Sequence, residues 1–158
     1  MTSKSILFVC TGNICRSPMA ESIFRKLVEN DRSVDFQLDS AGTMGYHQGE
    51  LADERMRFHA QKRGYRITHR SRPVTKSDFE SFDMIIGMDQ DNIDVLQCKN
   101  PKLLFEKNIF RMTDFCQRYH VSYVPDPYYG GDNGFENVID ILEDACEGLL
   151  MYLKTAVK

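Results

Sequence analysis

The sequence predicts an α/β fold in which helices cover both faces of a parallel sheet. Three observations predict it. Short apolar runs rich in Val, Ile and Phe recur along the chain, segments of helical period lie between them, and a long amphipathic segment closes the chain. Strands alternating with helices read as βαβ units, and hence as a doubly wound sheet.

Each element follows in order. Ser5-Ile-Leu-Phe-Val-Cys10 has the continuous apolar character of a buried parallel strand. A helix follows, with Ser17 as expected N-cap and Pro18 at the first helical position; Met19, Ala20, Ile23, Phe24, Leu27 and Val28 then recur at helical spacing. Val34 to Ala41 alternates as a second strand ending at Gly42, and Ala52 to Arg63 reads as a helix stopped by Gly64. Phe82 to Met88 is a third strand, after which Asp89 opens a helix through Ile93 and Leu96. Ile109 to Met112 makes a weaker fourth strand. The final segment places Phe135, Val138, Ile139, Leu142, Ala145, Cys146, Leu149 and Leu153 along one helical face.

The 158 residues suit one domain spanning 1–158, with no repeat or linker. A net charge of -3 gives no general attraction to nucleic acid or to an anionic membrane, so an anionic substrate must be recognised locally. No apolar run approaches a membrane span and the N-terminus has no signal pattern, so a cytoplasmic location is expected. Five cysteines without a C-x-x-C pair argue against both a disulfide framework and structural zinc, and the four histidines are scattered. No exposed apolar stripe stands out, and a monomer is expected.

In such sheets ligands bind beyond the carboxyl ends of the strands. The segments there are Cys10 to Ser17, Asp39 to Gly42, Gly87 to Asp89 and the loop around Asp126. Between Cys10 and Arg16 lie Thr11, Gly12, Asn13, Ile14 and Cys15, and both Gly12 and Asn13 tolerate unusual backbone angles. Such a loop, entering a helix, can turn its N–H groups inward as an anion nest. A cysteine at its start would feel those N–H groups and the Arg16 guanidinium, both of which favour the reactive thiolate. Arg16 can grip two phosphoryl oxygens with its planar fork while sulfur attacks phosphorus in line. The bland alternative is an ordinary βα turn with a core cysteine.

Transfer from an aryl ester to sulfur needs a proton on the leaving oxygen. Asp126, stiffened between Pro125 and Pro127, is the candidate donor, with a plain surface turn as its alternative.

The segments VCTGNICRSPMAE, DSAGT, SRPVTKSDFESFDMIIGMD and VPDPYYGG, in this order, resemble the low-molecular-weight protein tyrosine phosphatases over nearly the full chain. The resemblance implies a three-layer domain with a four-stranded parallel sheet. It implies a metal-free, cofactor-free phosphocysteine mechanism, with Cys10 as nucleophile, Arg16 as phosphate clamp and Asp126 as acid and then base. Substrates would be phosphotyrosine-containing proteins and small aryl phosphates. Asn13, Ser17, Ser40 and His69 would form the hydrogen-bond network that shapes the loop. Read without it, Ser17 is an N-cap, Asn13 and Ser40 are turn residues, and His69 is a solvated group in the basic run from Lys62 to Lys76. Tyr46 and Tyr129 resemble the aromatic rim of the substrate site, Tyr46 standing where some relatives carry Trp. Tyr128 and Tyr129 resemble sites phosphorylated in some relatives. Cys15 is implied to form a reversible disulfide with Cys10; otherwise it is a small apolar residue under the loop.

Two rivals remain. Thiol-dependent arsenate reductases of the same fold relay electrons through two further cysteines after the third strand, where this chain has Cys98 alone, with Cys116 far beyond. A phosphate-binding module without turnover would have no need of Cys10, Arg16 and an acid together. A nucleotide P-loop is excluded, since no Lys-Ser or Lys-Thr follows glycine at the required spacing.

Overall fold

The computed structural model describes residues 2–100, 106–128 and 131–156. The elements run β1 (Thr2–Cys10), α1 (Arg16–Val28), β2 (Val34–Gly42), α2 (Glu54–Lys62), α3 (Lys76–Ser81), β3 (Met84–Gly87), α4 (Gln90–Lys99), β4 (Ile109–Arg111) and α5 (Asp132–Ala156). Two 3₁₀ turns, Glu106–Asn108 and Met112–Phe115, flank β4. The strands form one parallel sheet in the order β2-β1-β3-β4.

Register is what places the site. Cys10 pairs with Gly42, Val9 with Gly87, and Gly87 with Arg111, so all four strands end at one edge. The pleat sends Ile6, Phe8, Met84 and Ile86 to the face covered by α1, α2 and α5. Leu7, Val9 and Ile85 point the other way, onto Phe79 of α3 and Leu96 of α4. The three-layer arrangement follows from that alternation.

The apolar stripe foreseen on the last helix is buried in full, from Phe135 to Leu153. Opposite it, α1 buries Met19, Ala20, Ile23 and Phe24, and the Phe24 ring lies 6.1 Å from Phe8 and 5.2 Å from Phe36. Truncating Phe24 in such a setting costs about 3–5 kcal/mol. A Cβ on Gly148 would stand 1.8 Å from the Phe115 carbonyl oxygen, so only glycine lets α5 pass the Met112–Phe115 turn this closely. Beside it, the fully buried Asp144 accepts the backbone N–H groups of Gln117, Arg118 and Tyr119, starting the segment that leads to Asp126. Burial opposes its charge, and those donors outweigh burial to lower its pKa.

Two caps stand as expected: Asp89 accepts the Asn92 N–H of α4, and Gly64 takes φ +85° after α2. Three features differ. Helix α1 begins at Arg16, with Cys15 rather than Ser17 at the cap position and no side-chain cap. Pro18 allows this, because none of the first-turn N–H groups has an intrahelical acceptor and losing one costs nothing. Helix α2 starts at Glu54 rather than Ala52, because Asp53 caps it by accepting the Arg55 N–H. Helix α3 escapes the periodicity because six residues are too few to show a stripe; a Thr75 and Asp78 capping box marks it instead.

Candidate active site

The loop between β1 and α1 is held from outside by its carbonyl oxygens. Cys10 O accepts from Thr43 N at 2.9 Å, Thr11 O from Met44 N at 3.0 Å, Gly12 O from Ser71 Oγ at 2.9 Å and Ile14 O from Asp53 N at 2.8 Å. In a planar trans peptide the following N–H points opposite to the carbonyl. The N–H groups of Thr11, Gly12, Asn13 and Cys15 are therefore turned inward, beside the N-terminus of α1. That concavity suits an anion. The close approach needs Gly42, where a Cβ would lie 2.6 Å from Thr11 O.

Asn13 sits at φ 58°, a left-handed conformation, and its amide is fixed by four partners. The Arg72 N–H can only donate, so the atom 3.0 Å from it is Oδ1, and Nδ2 faces Ser17 Oγ at 2.8 Å and Ser40 Oγ at 3.0 Å. Two consequences follow from counting protons. His69 Nε2, 2.8 Å from the same Oδ1, must carry its hydrogen. Ser17 Oγ, already accepting from Asn13, lies 3.0 Å from Cys10 Sγ and 3.4 Å from the Ala41 carbonyl oxygen, so its one hydrogen can turn to the sulfur when that is a thiolate. A hydroxyl donor aimed at sulfur stabilises negative charge there.

His69 is no solvated surface group. Its side chain is 14% exposed, and Nδ1 lies 3.3 Å from Asp39 Oδ1 and 3.6 Å from Glu21 Oε1. These three residues offer ligand atoms within 4.8 Å of one another. The other carboxylate oxygens bind Arg25 and Arg72, while Glu21 Oε1 is buried without a hydrogen-bond partner among the described residues.

Arg16 is 2% exposed. Its Nη1 donates to Asp89 Oδ2 at 2.6 Å and Val124 O at 3.0 Å, while Nη2 faces Thr11 Oγ1 at 3.4 Å and Asp126 Oδ2 at 3.6 Å. Burial opposes the charge, but Cys10, Asp89 and Asp126 outweigh it and the guanidinium pKa is raised. Asn92 closes the shell, accepting from Met88 N and donating to Thr11 Oγ1.

Asp126 is 45% exposed and accepts the Tyr128 N–H at 3.0 Å. Its loop is pinned to the end of β3 by Val124 N to Met88 O at 2.8 Å. A cleft of about 240 Å³ opens onto Cys10, Arg16 and Asp126, with Tyr46, His47 and Tyr128 as walls. Tyr46 is 78% exposed, and the His47 and Tyr128 rings stand 6.2 Å apart. Ile14 and Cys15 line the base. Burial, then Asp53, then Cys10 push the Cys15 thiol pKa well up.

Every predicted site residue among those described falls around this cleft or the Asn13 network behind it; Tyr129 lies outside the described residues. Ser17 and Ser40 are hydrogen-bonded into that network rather than serving as a cap or turn. Sequence reasoning missed Asp89 as the partner of Arg16, Asn92 behind Thr11, and His47 and Tyr128 as walls. The position of Asp89 at the end of β3 was the one available signal.

A parallel sheet whose central strand ends on a cysteine inside an anion-cradling loop, with a buried arginine beside it, defines a class of small α/β phosphate-handling proteins. Residues 5–158 match the family model described as low molecular weight phosphotyrosine protein phosphatase. The chain belongs to that family. It is 38% identical to the human low molecular weight phosphotyrosine protein phosphatase over 94% of both chains. It is also 38% identical to a Streptomyces coelicolor low molecular weight protein-tyrosine-phosphatase, over 97% of this chain and 95% of that one. A crystal structure of a protein tyrosine phosphatase from Entamoeba histolytica, with Hepes in the active site, superposes with a TM-score of 0.91 at 47% identity, covering 98% of this chain and 99% of that one.

Proposed function

We propose that this family member hydrolyses phosphotyrosine in proteins, and small aryl phosphates, through a phosphoenzyme on Cys10. The carrying observation is the hydrogen bond between Ser17 Oγ and Cys10 Sγ, at 3.0 Å, in a loop whose N–H groups face inward. The phosphoryl oxygens bind those N–H groups and Arg16 Nη2, which the Asp89 ion pair holds in reach of the loop. The sulfur attacks phosphorus, the phosphorus–oxygen bond to the aryl group breaks, and Asp126 gives its proton to the leaving oxygen. A water then attacks the cysteinyl phosphate, Asp126 takes up the water proton, and phosphate leaves as the thiolate reforms. The tyrosine walls favour a flat aryl ring.

No described helix is long and apolar enough to cross a membrane. We further propose that the enzyme is cytoplasmic and monomeric and acts without a metal or cofactor. Neither Cys98 nor Cys116 lines the cleft, which weighs against an arsenate reductase.

The test is hydrolysis of p-nitrophenyl phosphate at mildly acidic pH with reductant and chelator, comparing the wild type with Cys10→Ser. Turnover that vanishes in the variant supports the reading. A folded, reduced wild type without turnover would leave phosphate binding or arsenate reduction.

A further inference from the structure

A second cleft, of about 730 Å³, lies outside the candidate active site, between α2 and residues 64–70. Leu51, Tyr65 and Ile67 give it an apolar floor, and Arg57, Arg66 and Arg70 line it; none of its lining residues is acidic. Sequence and ion pairing both single out these three arginines. From Arg55 to Ser77 the chain has eight Lys and Arg and no Asp or Glu, although its net charge is -3. Of the eight, Arg55, Lys62, Arg63 and Arg72 meet carboxylates, and Lys76 does not line the cleft. Arg57, Arg66 and Arg70 make no ion pair among the described residues. Among the described residues, Arg57 donates to the carbonyl of Ala52 and Arg70 to that of Gly49.

The cleft shares its scaffold with the active site. The segment joining β2 to α2 presents Tyr46 and His47 to the catalytic cleft and Leu51 to the basic one. Leu51 pairs with Arg70, and the next residue, Ser71, binds the Gly12 carbonyl of the phosphate loop. One segment of chain thus contributes side chains to both clefts.

We propose that the Arg57, Arg66 and Arg70 cleft is a docking site for acidic side chains that flank the phosphotyrosine of a protein substrate. Charge complementarity sets the occupant, and the apolar floor receives the methylene stems of Glu residues. Outside the basic segment the chain carries twelve Lys and Arg against all 23 Asp and Glu, so a long polyanion such as nucleic acid is repelled where a short acidic segment is not. The proposal rests on the phosphatase reading above and adds a substrate class to it.

The experiment compares kcat/KM for two sets of phosphotyrosine peptides that differ only in three Glu or three Gln, placed on either side of the phosphotyrosine. The wild type is expected to favour a Glu peptide about fivefold at low salt, the preference fading as salt screens it. Arg66→Glu, which removes a side chain without an ion pair among the described residues, should abolish the preference while leaving p-nitrophenyl phosphate turnover intact. The triple Arg57→Gln, Arg66→Gln, Arg70→Gln should do the same. Equal rates for Glu and Gln peptides in the wild type, or a preference that survives both variants, would overturn docking alone. Loss of oligonucleotide binding in Arg66→Glu with an unchanged peptide preference would assign the cleft to nucleic acid and also overturn it. A wild type inert towards p-nitrophenyl phosphate would instead overturn the phosphatase reading beneath.

Discussion

Asp89 uses its two oxygens for two tasks: Oδ2 lies 2.6 Å from Arg16 Nη1, and Oδ1 accepts the Asn92 N–H of α4 at 2.8 Å. One carboxylate thus fixes the arginine to the start of a helix. Asp89→Asn keeps a good N-cap and removes the charge, which separates the two tasks. The variant is expected to keep its melting temperature within a few degrees, to bind inorganic phosphate more weakly as a competitive inhibitor, and to lose about 10- to 100-fold in kcat/KM. Unchanged phosphate inhibition would show that Arg16 is positioned without Asp89.

Asp126 stands 3.6 Å from Arg16 Nη2 and 45% exposed, in reach of a leaving oxygen at the mouth of the cleft. A proton donor matters most when the leaving group is poor. Asp126→Asn should therefore slow phenyl phosphate or phosphotyrosine by about 100-fold or more and p-nitrophenyl phosphate less. The measurement is the dependence of kcat on leaving-group acidity across a series of aryl phosphates, which should steepen in the variant. Parallel slopes would remove Asp126 from proton transfer.

The legible and illegible parts of this molecule divide by distance along the chain. The strand ending on Cys10, the Gly12 and Asn13 bend and the buried stripe of α5 are local patterns, and all could be read directly. The resemblance added the Asn13, Ser17, Ser40 and His69 network, which spacing alone left open. Asp89 and Arg16 lie 73 residues apart, and their pairing depends on β3 lying beside β1 in register, which no local pattern encodes. Ser17 misled because a serine before proline satisfies the cap rule equally well; only tertiary structure shows its hydroxyl drawn to sulfur.

Cys15 offers a thiol whose proton is held firmly: burial, then the charges of Asp53 and Cys10, raise its pKa far above the usual thiol range. Oxidation by peroxide should accordingly begin at Cys10, whose sulfenic acid would then condense with the Cys15 thiol to a disulfide, releasing water. Peroxide-treated wild type should yield a Cys10–Cys15 peptide by mass spectrometry and recover activity with dithiothreitol. Cys15→Ser should instead lose activity irreversibly as Cys10 proceeds to the sulfinic acid. A fully recoverable Cys15→Ser enzyme would refute the protective role.

Glu136 joins α5 to α2 by meeting Arg63, His59 and Lys62, and its pKa falls from the ordinary 4.5 to about 2. The Arg63 hydrogen bond is the largest cause, partly opposed by burial and reinforced by His59. Because the folded value lies below the unfolded one, the folded state holds fewer protons here. Its contribution to stability is complete above about pH 4.5 and disappears as pH falls towards 2. Urea midpoints measured from pH 6 to pH 2.5 should therefore fall more steeply for the wild type than for Glu136→Gln, whose curve begins lower at pH 6 and converges with the wild type in acid. Curves that stay parallel throughout would mean that α2 is held to α5 by apolar contacts and the remaining ion pairs of Arg63 with Asp140 and Glu143, with Glu136 adding nothing.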